Sequence, residues 1–188
     1  MNSRSDEYLI ETIINQGQTE NFSELYNRYR SRVLDKCFGM TRNKALADDL
    51  TQDIFVKALE KLSGFKGQST FSTWLYAITY HHCIEYLRKH KRVRFDDWAS
   101  VLDIPDDVDD EDVAQVLDLA EERLTLILEL LKPEDKAIIL MKYMERMTIK
   151  QIKEIFQLSS ESAAKMKITR ARQRIVALHN QFYTALDT

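Results

Sequence analysis

The chain has 188 residues, room for one domain or two small ones, and its 44% of apolar residues can close a real core. Four glycines and two prolines are too few for a turn-rich β protein and favour helices. The net charge of −3 hides an asymmetry: Phe95 to Glu122 holds 12 acidic residues and no Lys or Arg, leaving 18 acidic against 27 basic residues elsewhere. Two basic ends around an acidic centre suit a polyanion partner for the ends and something different for the middle. The two cysteines, Cys37 and Cys83, cannot build a disulfide framework and fit a reducing cytoplasm. The first residues lack the basic start and apolar core of a signal peptide, and no apolar run approaches the roughly 18 residues that span a bilayer. The expectation is a cytoplasmic protein without membrane insertion.

A short periodic segment around Tyr8 to Ile14 stops at Gly17. The second segment repeats apolar residues at Phe22, Leu25, Tyr26, Tyr29, Val33, Cys37 and Phe38, the spacing of a helix with one buried face, and Gly39 is the expected stop. A third helix carries Leu46, Leu50, Ile54, Phe55, Ala58, Leu59 and Leu62, and ends near Gly64. Phe65 to Ser69 reads as a loop. Thr70 or Ser72 caps a fourth helix that runs through Phe71, Trp74, Leu75, Ile78 and Leu87 into the basic run Arg88 to Arg92. The expected first domain spans residues 1–94. An acidic linker, 95–121, is too poor in apolar residues to build its own core until about Val113.

The second domain, 122–188, begins with Leu124, Ile127, Leu128 and Leu131. Pro133 fits a first helical position, and the helix behind it carries Ala137, Ile138, Leu140, Met141 and Met144. Thr148 and Gln151 have the spacing of a capping box, opening a helix that buries Ile149, Ile152, Ile155 and Phe156. After the turn Gln157-Leu158-Ser159, a last helix shows the stripe Ala164, Ile168, Ala171, Ile175, Leu178 and Phe182. The fold class is therefore all-α: two small helical domains joined by a flexible acidic linker.

The last two helices have the shape of a helix-turn-helix, whose second helix enters the major groove. The faces outside the stripe carry Ser162, Lys165, Met166, Lys167, Thr169, Arg170 and Arg174, the donors that phosphates and base edges require. A solvated amphipathic helix is the plainer reading of the same pattern. On the fourth helix Tyr76 and Tyr80 lie four apart and share a face, with Trp74 and Phe71 a turn below and the basic run beyond. Aromatics beside cations can hold unstacked bases. The plainer alternative makes Phe71, Trp74 and Leu75 core residues, and for the tyrosine pair both readings stay open.

His81-His82-Cys83 does not make a metal set, because adjacent helical positions diverge and no ligand pair lies at i+4. Asp107, Asp109 and Glu111 faintly echo a calcium loop, but Asp112 stands where the turn glycine belongs and Asp118 where the final glutamate does. No glycine-rich phosphate loop and no nucleophile–base pair is present, so nothing argues for an enzyme, a cofactor or a small-molecule substrate.

These residues resemble the extracytoplasmic-function group of bacterial RNA polymerase sigma factors. The first block is Phe22-Ser-Glu-Leu-Tyr, Ala47-Asp-Asp-Leu-Thr-Gln-Asp-Ile-Phe-Val-Lys-Ala58, and Phe71-Ser-Thr-Trp-Leu-Tyr-Ala-Ile78 with its basic tail. The second is Leu130-Leu-Lys-Pro133, Met147-Thr-Ile-Lys-Gln-Ile152 and Lys165-Met-Lys-Ile-Thr-Arg-Ala-Arg172. The resemblance implies a factor that binds core RNA polymerase and directs promoter recognition, melting and initiation. Docking on the polymerase would fall to Asp49, Leu50, Gln52, Asp53 and Phe55. Recognition of the minus-ten element, partly as single strand, would fall to Phe65, Lys66, Gln68, Ser69, Thr73, Trp74, Tyr76, Tyr80, His81 and Arg88. The duplex minus-thirty-five element would meet Ser160, Ser162, Lys165, Met166, Lys167, Thr169, Arg170 and Arg172. The resemblance also implies an anti-sigma protein as a partner. Two departures stand out: His81 replaces the family's usual asparagine, and the turn between Ile155 and Lys165 is one residue longer. The competing reading is a helix-turn-helix regulator that acts on DNA without polymerase, and a third is a helical interaction adaptor.

Overall fold

The computed structural model describes residues 4–90, 105 and 107–184, with side chains to residue 181. The described residues are helical or irregular, without strands. They divide into two compact units after Glu85.

In the first unit, α1 (Asp6–Gln16) is capped by Ser5, whose side chain accepts from the Tyr8 amide, and it stops in left-handed Gly17. Asp6 then ties α1 to the next helix: its carboxylate pairs with Arg28 and accepts from the Tyr29 hydroxyl. Burial and that carboxylate push the Tyr29 phenol up. Helix α2 spans Phe22–Thr41 and passes through Gly39. The expected glycine stop is corrected: the helix ends at Arg42 in the left-handed region, where the Arg42 amide reaches the Phe38 carbonyl. Asn43 caps α3 (Lys44–Lys61) by accepting from the Leu46 amide. A 3₁₀ turn over Leu62–Gly64 follows, and α4 covers Phe71–His90.

The core between these helices is formed by Leu25, Val33, Cys37 and Met40 from α2, Ala47, Leu50, Ile54 and Ala58 from α3, and Phe71, Leu75, Tyr80 and Cys83 from α4. Cys37 and Cys83 meet there, Sγ to Sγ at 3.7 Å, and that contact lowers the Cys37 thiol. Leu59 was expected in the core but is partly exposed.

In the second unit the acidic segment departs from expectation. Asp110–Leu117 forms a helix, α5, opened by a capping box in which Asp109 and Asp112 satisfy each other's backbone amides. This accounts for the acidic string that echoed a calcium loop. Val108, Val113 and Val116 are buried. Valines at i and i+3 supply an apolar stripe that the acid count conceals, so this stretch packs as part of the unit. Residues 91–104, with the expected basic tail beyond His90 and the start of the linker, lie outside the described residues.

Helices α6 (Glu121–Leu130) and α7 (Pro133–Ile139) follow, the latter with Pro133 in its first turn. The expected continuous helix to Met144 is corrected: Leu140–Met144 winds as a π turn, which leaves Met144 exposed. Thr148 and Gln151 form the expected capping box at the start of α8 (Ile149–Ile155). Helix α9 (Glu161–Thr184) closes the unit, burying Ala164, Ile168, Ala171, Ile175 and Leu178. Phe182, expected in the same stripe, has its side chain outside the described residues.

Candidate functional site

Three surfaces gather the residues singled out above. The first is the outward side of α3. Asp49, Gln52 and Asp53 are exposed, at the spacing that places them on one face. Leu50 and Phe55 are not part of it: both are buried, and the Phe55 ring packs edge-on against Phe22 and Tyr26 at 6.3 and 4.7 Å. The 3.6-residue period turns these two inward whenever Gln52 and Asp53 face out. Sequence reasoning missed Val56, 57% exposed one turn beyond Gln52 and Asp53. Its position at i+3 and i+4 from them was the available signal.

The second surface is the loop 65–70 with the start and outer side of α4. Phe65 anchors the loop, its ring 6.0 Å from Phe71 and 5.3 Å from Trp74. Lys66 and Gln68 are exposed at the tip, and Gly67 between them has φ +65°, a conformation that favours glycine. Ser69 is half-buried beside them. Thr70 caps α4, accepting from the Thr73 amide at 3.3 Å, while its hydroxyl meets those of Ser72 and Thr73. Thr73 is thereby buried as a structural hydroxyl, not presented outward. Trp74 is half-buried against Phe71, centroids 5.6 Å apart. Tyr76 remains accessible, with Lys36 Nζ 4.1 Å from its ring centre, an arrangement a cation favours on an aromatic face. Tyr80 corrects the expected tyrosine pair, because it is 0% exposed and sits in the core. His81 is half-buried and Arg88 is exposed near the helix end. Lys66, Gln68, Ser69, Tyr76, His81 and Arg88 are thus the members of this set that reach the surface, Arg88 with its guanidinium paired to Glu134.

The third surface is α9. The Ser160 hydroxyl accepts from the Ala163 amide at 3.1 Å, so it serves as the helix cap. Ser162, Lys165, Met166, Thr169 and Arg170 are exposed. Met166, 57% exposed, stands among them with open apolar area. Lys167 is half-buried, its Nζ 5.5 Å above the Phe156 ring. Arg172 is drawn aside: its Nη1 donates to Asp110 Oδ1 at 2.9 Å, and the same carboxylate accepts from the Tyr143 hydroxyl at 2.8 Å. The hydroxyl and the guanidinium hold the Asp110 carboxyl below its usual range, and burial followed by the carboxylate pushes the Tyr143 phenol up. Arg174 donates to Asp135 at 2.5 Å. Both arginines flank the buried stripe, where a carboxylate of their own unit reaches them. Among the described residues no group of His, Cys, Asp or Glu could hold a metal ion, and no helix is long and apolar enough to cross a membrane.

Residues 25–93 match the Sigma-70 region 2 family and residues 121–175 the Sigma-70 region 4 family. The RNA polymerase sigma factor YlaC of Bacillus subtilis (strain 168) is 30% identical over 83% of this chain and 89% of its own length. The ECF RNA polymerase sigma factor SigW of the same organism is 27% identical over 86% of this chain and 90% of its own length. Among solved structures, the sigma factor RpoE in complex with the anti-sigma factor NepR, from Bartonella quintana, shares the fold with a TM-score of 0.57, 20% identity and coverage of 86% of this chain and 98% of that one. Two helical units that match sigma regions 2 and 4 are those of a transcription initiation factor. The chain belongs to the extracytoplasmic-function group of the sigma-70 family of RNA polymerase sigma factors. It is a factor of promoter-directed initiation, and an operator-binding regulator independent of polymerase is not favoured.

Proposed function

We propose that the three surfaces divide the work of initiation. The exposed side of α3, with Asp49, Gln52, Asp53 and Val56, docks on core RNA polymerase. The loop 65–70 and the outer side of α4 hold the opened minus-ten element through Lys66, Gln68, Ser69, Tyr76, His81 and Arg88. Ser162, Lys165, Met166, Thr169 and Arg170 of α9 read the minus-thirty-five element as duplex. The observation that carries this reading is the α3 face, where two carboxylates, an amide and a bare valine stand together in solvent although apolar positions are at hand inside. Large polar and apolar groups sharing one exposed patch are what a protein interface uses.

On this reading the chain acts in the cytoplasm by binding alone, with no catalytic step, cofactor or small-molecule substrate of its own. An anti-sigma protein is a further partner, supported by the RpoE structure, which is of a complex with one. Titration of core polymerase tests the docking face. Gln52→Ala and Asp53→Ala are each expected to weaken binding by about 1–3 kcal/mol with the fold intact. Wild-type affinity in both variants would remove α3 from the docking surface.

A further inference from the structure

His82 lies on α4 next to His81 but turns towards α3. Its Nδ1 stands 2.7 Å from Lys57 Nζ. An ammonium has only donors, so Nδ1 is the acceptor, and the neutral ring then carries its proton on Nε2. Nε2 is buried without a hydrogen-bond partner. Asp53 Oδ2 stands 3.7 Å away, beyond hydrogen-bond length but within a small side-chain rotation. The His82 side chain is 13% exposed and that of Asp53 is 66% exposed. A buried donor is therefore aimed at an exposed carboxylate of the docking face.

We infer that His82 is a positioning residue for polymerase docking: its Nε2–H takes up the Asp53 carboxylate when the partner arrives and holds it in one orientation, while Lys57 is fixed on the other ring nitrogen. The inference rests on the α3 docking reading. A buried donor without an acceptor is costly, and a bond from it to a carboxylate is of the stronger, charge-assisted kind. Docking that orders Asp53 recovers that bond. The charged groups facing the ring are Lys57 and Asp53 from α3 and Glu85 from α4 itself. Burial, and then Lys57, keep the imidazole less basic than usual, against Asp53 and Glu85. Protonation would place a hydrogen on Nδ1, remove the acceptor for Lys57 and set two cations together. The free chain therefore favours the neutral ring.

The test is competition binding of the full chain to core RNA polymerase stripped of its own sigma subunits. His82→Phe keeps the ring's bulk and removes both polar atoms, and is expected to raise Kd about tenfold. His82→Gln has an amide that accepts from Lys57 and donates to Asp53, and is expected to stay within about twofold of wild type. In an Asp53→Ala background His82→Phe should change little, since it acts through that carboxylate. Docking brings the Asp53 carboxylate onto the ring and makes it more basic than in the free chain, so wild-type affinity should gain as pH drops towards protonation of the ring, a gain that His82→Gln lacks. The inference is overturned if Asp53→Ala binds weakly while His82→Phe binds as wild type, or if the two changes add. If His82→Phe melts early, the pH profiles decide, and equal profiles for wild type and His82→Gln overturn it. If Asp53→Ala itself binds as wild type, the docking reading of α3 fails, and the inference with it.

Discussion

The two helices expected to meet DNA present their side chains in opposite ways. On α4 the aromatic residues go largely inward: Phe71 and Tyr80 are buried, Trp74 is half-buried against Phe71 and Phe65, and Tyr76 is half-buried with Lys36 over its ring. On α9 Ser162, Lys165, Met166, Thr169 and Arg170 stay outside, while Lys167 lies over the Phe156 ring and Arg172 turns aside to Asp110, with the buried stripe opposite. The difference lies in the chemistry of the side chains. An aromatic ring gains by removing its large apolar area from water, so a core can claim it from either edge of an amphipathic face. A Lys or Arg head cannot follow without a partner, because burying an unpaired charge is costly. An outward assignment made on cations is therefore firmer than one made on tyrosines.

Tyr80 offers the largest break in that comparison. Tyr80→Ala is expected to leave a cavity in the first unit and to cost about 3–5 kcal/mol, read as a large drop in thermal or urea stability. A stable variant with a selective defect in promoter opening would return Tyr80 to the DNA surface. On α9 the expected loss is smaller and leaves the fold alone. Lys165→Ala combined with Arg170→Ala should weaken duplex binding and reduce the salt slope of log K by about 2, the share of two phosphate contacts. An unchanged slope would place both cations off the DNA.

A third test concerns a helix end. Thr148→Ala removes the hydroxyl that accepts from the Gln151 amide and should cost about 1 kcal/mol of stability by calorimetry. The smallest effect is expected at Asp110, whose side chain is mostly exposed, so solvent screens its pair with Arg172. Asp110→Asn should cost under about 1 kcal/mol near neutral pH. The carboxyl is held below its usual range in the folded state, so its contribution is present above the unfolded pKa of about 3.9 and is lost as pH falls through the folded value. Wild type and variant should converge in strong acid. A gap that stays constant with pH would show that the charge contributes nothing.

Much of the fold was legible because the signals were local. Gly17, Pro133 and the Thr148–Gln151 pair act within one turn of their own helix, and each helix they border is where their chemistry puts it. What escaped depended on distant partners. The packing of α5 needs α9 and Tyr143 before two valines and an aspartate amount to a helix that belongs to the second unit. The capture of Arg172 by Asp110 spans 62 positions, and no reading of the α9 sequence alone could assign it. The α3 face was half legible. Its polar members followed from the motif, whereas Leu50 and Phe55 came with the motif but belong to the interior.

Three helix ends and turns, Arg42, Arg146 and Gln157, stand at φ of 51°, 54° and 52° without glycine. A side chain with a Cβ pays for that geometry, and glycine does not. Selection has thus left improvements untaken at the joints of the framework. Arg146→Gly and Gln157→Gly each exchange local strain for a smaller loss of unfolded-chain restriction, with a net gain of up to about 1 kcal/mol, whereas Arg42→Gly also gives up the guanidinium 5.3 Å from the Phe38 ring centre. None of the three belongs to the α3 face, the loop 65–70 or the exposed side of α9. The molecule holds a reserve of robustness that could be drawn on to absorb damaging changes at those surfaces while leaving their specificity alone.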